Sequence, residues 1–127
     1  MRTTSNIRRF KLSEAFIEPY KTREVPWGPL GYVTFKRTYA RRLSEFETGA
    51  EGTEEWWQTC RRVIDAMFDM QKQHVYHLGL EWNDSKAQAT AKDAYDRLFN
   101  LKWTPPGRGL WMMGTKFVEE RTAAGLF

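Results

Sequence analysis

The sequence predicts a mainly α-helical chain of one domain's length, and three observations predict it. Residues 53–77 repeat apolar side chains at helical spacing, and residues 84–99 do so again with alanines. Strand character is confined to one short apolar run near 109–113, so at most one or two short strands are expected, close to the C-terminus. A chain of 127 residues falls within the ~100–200 residues typical of one domain. Its 41% hydrophobic and 28% charged residues suit a packed globular chain and exclude a mostly disordered one. The aromatic content is high, with six Trp, and by itself suits a core, an interface or a nucleotide site.

In chain order, Ser13 is a good N-cap and Glu14 an acidic first-turn residue, which predicts a short helix over 13–19 that Pro19 ends or bends. Pro26, Gly28, Pro29 and Gly31 make 21–31 a connector. Residues 32–43 partly alternate, yet Tyr32, Phe35, Tyr39 and Leu43 share one helical face, and Lys36, Arg37, Arg41 and Arg42 fall largely off it. A helix over 32–43 is therefore expected. Gly49, Gly52 and several Glu mark 44–53 as a solvated loop.

The strongest element starts at Thr53. Thr53 is the expected cap, Glu54 and Glu55 complement the positive end of the helix dipole, and Trp56, Trp57, Cys60, Val63, Ile64, Met67 and Phe68 form a buried stripe. Gly79 is placed to close this helix. Asp84 or Ser85 opens the next, on which Ala87, Ala91, Ala94, Tyr95 and Leu98 share a face narrow enough for close approach to a neighbour. Two adjacent prolines and a glycine make Trp103–Arg108 a turn. Leu110–Met113 is the best strand candidate, and Thr115–Arg121 is expected to begin another helical turn.

Composition also bounds function. No run approaches the ~18–20 apolar residues that cross a bilayer, and no apolar segment follows the basic N-terminus as a secretory signal would require. A single cysteine permits no internal disulfide and no cysteine-based metal framework, which points to a reducing, cytoplasmic setting. Charge is uneven. Residues 1–42 carry ten Lys/Arg against three Glu, whereas 43–127 carry ten against thirteen acids. A basic first third attracts nucleotides, nucleic acid or an acidic protein face.

Four groups of residues are candidates for chemistry. Cys60 lies on the apolar stripe, where a cysteine is ordinarily a small hydrophobe. His74 and His77 stand three apart with no third ligand at matching spacing, too little for a metal site. The Lys36, Arg37, Arg41, Arg42 cluster reads as a salt-bridged or interface face, or else as a polyanion contact. The loop Pro106-Gly-Arg-Gly-Leu-Trp-Met-Met-Gly-Thr115 is the strongest candidate. Its glycines let backbone approach a ligand, and Arg108 offers a planar fork to phosphate oxygens.

Two stretches carry a family resemblance: Trp27-Gly-Pro-Leu-Gly-Tyr-Val-Thr-Phe-Lys-Arg-Thr-Tyr-Ala-Arg-Arg42 and Pro105-Pro-Gly-Arg-Gly-Leu-Trp-Met-Met-Gly-Thr115, the latter followed by Arg121-Thr-Ala. Together they resemble the opening of the adenosylcobalamin-dependent, class II ribonucleotide reductases, from about Phe16 to Phe127. The resemblance implies a helical N-terminal region over 1–104 leading, over 105–127, into the first strand of a ten-stranded α/β barrel. It implies that Arg108, Gly109, Leu110, Trp111 and Gly114 lie near the bound ribonucleotide. In that family an Asn-Cys step soon follows the loop, a cysteine thiyl radical abstracts a ribose hydrogen, and a cysteine pair reduces the 2′ position. Here Leu126-Phe127 comes first, so no catalytic residue is expected in this chain. Adenosylcobalamin is expected in the assembled enzyme and none on this chain alone. The expected partner is a second chain carrying the rest of the barrel, with Leu126 and Phe127 inserted into it. The competing reading is a basic helical module binding nucleic acid or protein.

Overall fold

A computed structural model describes residues 8–46, 50–116 and 118. Among the described residues five α-helices are bounded, in order α1 (Glu14–Ile17), α2 (Pro29–Thr38), α3 (Trp56–His77), α4 (Asp84–Phe99) and α5 (Gly107–Met112). Short 3-10 turns occupy Glu18–Lys21 and Leu43–Glu45. Among the described residues the only β-type pairing is a single antiparallel bridge between Arg42 and Thr53. The mainly helical expectation holds.

The long α3 is the spine, and α4 packs along it. Cys60, Val63, Ile64 and Phe68 from α3 meet Ala87, Ala91, Tyr95, Leu98 and Phe99 from α4, all buried, while Met67 is half-buried. The alanines leave α4 close enough for the large rings of its second half to fill the remaining space. Tyr20 stacks edge-on against both Tyr95 and Phe99, with centroids 4.8 and 5.0 Å away. A second cluster joins Trp27, Phe35 and Trp56, and Trp56 Nε1 donates to the Phe99 carbonyl at 3.0 Å. Much of the aromatic excess is therefore core.

Several boundaries differ from the sequence expectation. Pro19 stands just past the end of α1 at Ile17, in keeping with the expectation that it ends or bends the first helix. It sits in the opening turn of the 3-10 segment, where a missing N–H costs nothing. α2 begins at Pro29 rather than 32 for the same reason, its fixed φ suiting the first turn, and ends at Thr38. Only Phe35 of α2 is buried, and Tyr32 is exposed. α3 begins at Trp56, not Thr53. Thr53 is held in the bridge to Arg42, and Lys36 Nζ donates to its carbonyl and hydroxyl at 3.2 and 3.0 Å. The residue before α3 is Glu55, whose N–H donates to Gln58 Oε1 at 2.7 Å. Gly79 closes α3 as expected, with φ +79°. α4 is capped by Asn83, whose side chain accepts from the Lys86 amide at 3.1 Å.

The strand candidate at Leu110–Met113 is overturned, for these residues lie in and just after α5. No neighbouring strand is available among the described residues, and the segment closes its own bonds instead, Leu110 N to Pro106 O and Met113 N to Gly109 O at 3.0 Å each. The turn before it is correspondingly shorter, since the helix starts at Gly107. Most of the Thr115–Arg121 expectation, and the apolar end at Leu126 and Phe127, lie outside the described residues.

The N-terminal segment is strapped to α3 by carboxylates. Phe10 N donates to Asp69 Oδ1 and Leu12 N to Asp65 Oδ1, each at 2.9 Å. Burial pushes the Asp65 carboxyl up to about 6, against the opposing pull of the Leu12 amide and Arg61.

Two outcomes test this packing. Phe68→Ala should cost about 3–5 kcal/mol in a urea melt, the usual range for emptying a buried phenyl site. A loss under about 1 kcal/mol would show that the stripe does not face the core. Asp65 has a folded value raised above its ordinary 3.8, so its protonated form favours the fold. Its contribution is present below pH 4 and is lost as pH rises towards 6. Wild-type Tm minus that of Asp65→Asn should therefore fall between pH 4 and 6. A difference that rises over that interval contradicts this assignment.

Candidate functional site

The segment carrying the candidate loop is fixed from beneath by one buried ion pair. Glu54 lies just ahead of α3 and Arg62 in its second turn, and their side chains are only 3% and 6% exposed. Arg62 Nε donates to Glu54 Oε2 at 2.9 Å and Nη2 to Oε1 at 3.0 Å, a two-point match of guanidinium to carboxylate. Glu54 Oε1 also accepts from the Thr59 hydroxyl at 3.0 Å and from the Arg41 amide at 2.9 Å. The remaining Arg62 donors leave α3 altogether. Nη2 reaches the Leu110 carbonyl at 2.9 Å and Nη1 the Met113 carbonyl. These carbonyls lie at the C-terminal end of α5, where intrahelical partners run out.

Gly114 follows with φ +79°. A Cβ there would fall 2.8 Å from Arg62 Cγ and 2.9 Å from the Arg62 carbonyl. Conformation and contact both demand glycine at this position. Gly107 is similarly close to another side chain, since a Cβ would lie 3.2 Å from the Tyr39 hydroxyl. Glycines at two ends of the loop thus serve close packing.

The five residues singled out by sequence divide accordingly. Leu110 is buried and faces the core, Gly114 presses on Arg62, and Gly109 is half-buried. Arg108 and Trp111 are exposed and stand three apart on α5, so they share a face. Trp111 keeps 45% of its surface open, and the Arg41 guanidinium covers its ring at 4.4 Å from the centroid. An exposed indole beside an exposed guanidinium can offer a stacking surface and a fork of donors to one ligand.

The basic cluster does not act as one face. Lys36 turns inward to the Thr53 and Glu54 carbonyls and pairs with Glu55 at 3.0 Å, and Arg41 pairs with Glu45. Arg37 and Arg42 stay outside these pairings, with Arg37 exposed. Cys60 is fully buried, and burial, reinforced by Glu54, holds its thiol well above the ordinary range, so it packs as a neutral side chain. Among the described residues no three His, Cys, Asp or Glu side chains gather as a metal site, and no helix is long and apolar enough to cross a membrane.

Sequence reasoning missed Arg62 and the partners that Glu54 and Arg41, both named from the sequence, take up in the fold. The sequence carried no signal for the first, because Arg62 stands beside Arg61 on the face of α3 opposite the apolar stripe, where an arginine reads as solvated.

Comparison with known proteins places this geometry. Residues 12–115 match the family model of the ribonucleotide reductase alpha domain. A probable adenosylcobalamin-dependent ribonucleoside-triphosphate reductase of Dictyostelium discoideum is 38% identical over 123 residues, which is 95% of this chain and 15% of that protein. The adenosylcobalamin-dependent ribonucleoside-triphosphate reductases of Euglena gracilis and Lactobacillus leichmannii are 37% and 36% identical over 116 residues each, again 15% of their length. A crystal structure of a B-12 dependent, class II ribonucleotide reductase superposes with TM-score 0.69 and 29% identity, over 85% of this chain and 14% of that one. The chain spans about 15% of the length of these relatives. It belongs to the ribonucleotide reductase alpha domain family and matches the helical N-terminal segment of a class II enzyme.

Proposed function

We propose that this chain supplies the helical N-terminal part of an adenosylcobalamin-dependent enzyme that reduces ribonucleotides to deoxyribonucleotides. The observation that carries this reading is coverage: 38% identity runs along 95% of the chain yet accounts for 15% of the relative. In this reading residues 1–104 are the helical region, 105–127 lead into the catalytic barrel, and a second polypeptide provides the remainder. The substrate is a ribonucleoside triphosphate, as the relatives' names print, and the setting is cytoplasmic.

The chemistry itself belongs to the remainder. Reduction at the 2′ position needs accessible thiols, and the single cysteine here, Cys60, is buried with its thiol held protonated. The described residues do not fit a corrin either. Cavities of about 270 and 600 Å³ flank the N-terminal segment, both open to solvent and walled in part by charged side chains such as Arg8, Arg9, Lys11, Asp65 and Asp69, so neither offers a closed slot for a flat macrocycle. Adenosylcobalamin, which would supply the initiating radical, is therefore assigned to the remainder, and no step is routed through this chain.

What this chain contributes is binding. Arg108 presents its guanidinium to phosphate oxygens, Trp111 offers a ring face or edge to the nucleoside, and Gly109, Leu110 and Gly114 hold that surface in place. The alternative of a basic nucleic-acid-binding or protein-interaction module is less well supported, because Lys36 and Arg41 are engaged within the chain.

Two measurements check the reading. The purified chain, given adenosylcobalamin, CTP and a dithiol, should form no deoxynucleotide, and turnover by the chain alone would refute it. In the enzyme assembled with the remainder, Arg108→Lys should leave complex formation intact and lower deoxynucleotide production, because lysine keeps the charge and loses the two-point fork. Full activity of that variant would remove the phosphate role.

A further inference from the structure

We infer that Arg62, held by Glu54, is a positioning residue for the nucleotide-facing side of α5, an inference that rests on the placement of the nucleotide at Arg108 and Trp111. α5 has six residues and no side-chain cap at its N-terminus, too little to define its own orientation. Its orientation comes from α3. Arg62 takes the Leu110 carbonyl with one terminal nitrogen and the Met113 carbonyl with the other, so the two ends of the segment bearing Trp111 are fixed to one rigid group. Gly114 then passes against the Arg62 stem at a distance that admits no Cβ.

A second route reaches the same indole. Glu54 accepts the Arg41 amide, and the Arg41 guanidinium lies on the Trp111 ring. Backbone and ring of Trp111 are thus both referenced to the Glu54 carboxylate, one through Arg62 and the other through Arg41. A buried apolar pair would hold α3 equally well. The fork adds direction, since two donors meeting two carbonyls set rotation as well as distance.

The test uses the enzyme assembled from this chain and the remaining reductase polypeptide, with CTP as substrate. Arg62→Lys should lower kcat/KM on the order of tenfold to a hundredfold, as small misplacements of binding groups do, and most of the loss should appear in KM. The double variant Arg62→Met/Glu54→Gln removes both charges without stranding either, so it keeps the experiment readable if a single change unfolds the chain. It should show at least the same KM increase as Arg62→Lys, since it removes the donors to both carbonyls of α5. In the chain alone, the Trp111 indole N–H resonance should shift in Arg62→Lys while amides of α4 stay in place. An unmoved Trp111 resonance with KM within about twofold of wild type overturns the inference. If Arg108→Ala and Trp111→Ala raise KM while Arg62→Lys does not, the positioning role alone falls. If none of the three changes KM, the nucleotide is not at α5 and both readings fall.

Discussion

The Glu54–Arg62 pair is the constraint on which the C-terminal part of this structure depends. Burying two opposite charges is costly, and mutual attraction repays the cost only when every lone pair and proton finds a partner. Here Glu54 accepts from Arg62, Thr59 and the Arg41 amide, while Arg62 donates onward to two carbonyls of another element. The pair is therefore a junction more than a bridge. Loss of one member would leave the other buried without its counter-charge, a change that costs about 3–5 kcal/mol in comparable cases. It would also release the carbonyls at the end of α5 and loosen the approach of Gly114.

The middle turns of α3 work in the same manner. Its apolar stripe meets α4, and its polar positions grip segments that carry little regular structure of their own. Asp65 and Asp69 take the amides of Leu12 and Phe10, and Arg61 Nη2 donates to the Leu12 carbonyl at 3.1 Å. Arg62 takes the carbonyls of α5. The irregular N-terminal strap and the short C-terminal helix are thus both read out from one long helix. Backbone groups in such segments have no ladder to join, and buried ones must be satisfied by side chains. Charged residues with several donors or acceptors do this with the fewest positions. That explains why α3 carries acids and arginines beside its hydrophobic stripe.

This arrangement also explains what was legible in the sequence. α3 and α4 were visible because periodicity over more than three turns is a local property, and Val63, Ile64 and Phe68 are buried where the pattern placed them. Thr53 as a cap was a local inference overruled by distant partners, since Lys36 and Arg42 claim Thr53 for the bridge. Leu110–Met113 as a strand failed for another reason. A short apolar run reads equally well as strand or helix, and here the Leu110 and Met113 amides close bonds to Pro106 and Gly109 that a strand would have left open. In the candidate site, Arg108 and Trp111 could be picked out from their motif. Arg62 and Glu54 could not be paired with the loop, because the contacts from Arg62 to Leu110 and Met113 join residues 48 and 51 positions apart.

The glycines sharpen the functional reading by subtraction. A Gly-rich loop invites the inference that its backbone cradles a ligand. Gly114 is instead required by its positive φ and by the Arg62 stem, and Gly107 lies close against Tyr39. Leu110 is accounted for by burial. Once these are assigned to packing, Arg108 and Trp111 remain as side chains whose identity the described interior does not demand. Arg108 is exposed, and Trp111 spends nearly half its surface in the open while an arginine holds its ring. The open part of that ring gains nothing for stability, since apolar surface contributes only when it leaves water. That open half, on a helix oriented from below by Arg62, is the surface the proposed nucleotide contact would use. In the proposed reading the anchored residues of the loop fix where that surface points, and the two exposed ones, Arg108 and Trp111, would set what it can hold.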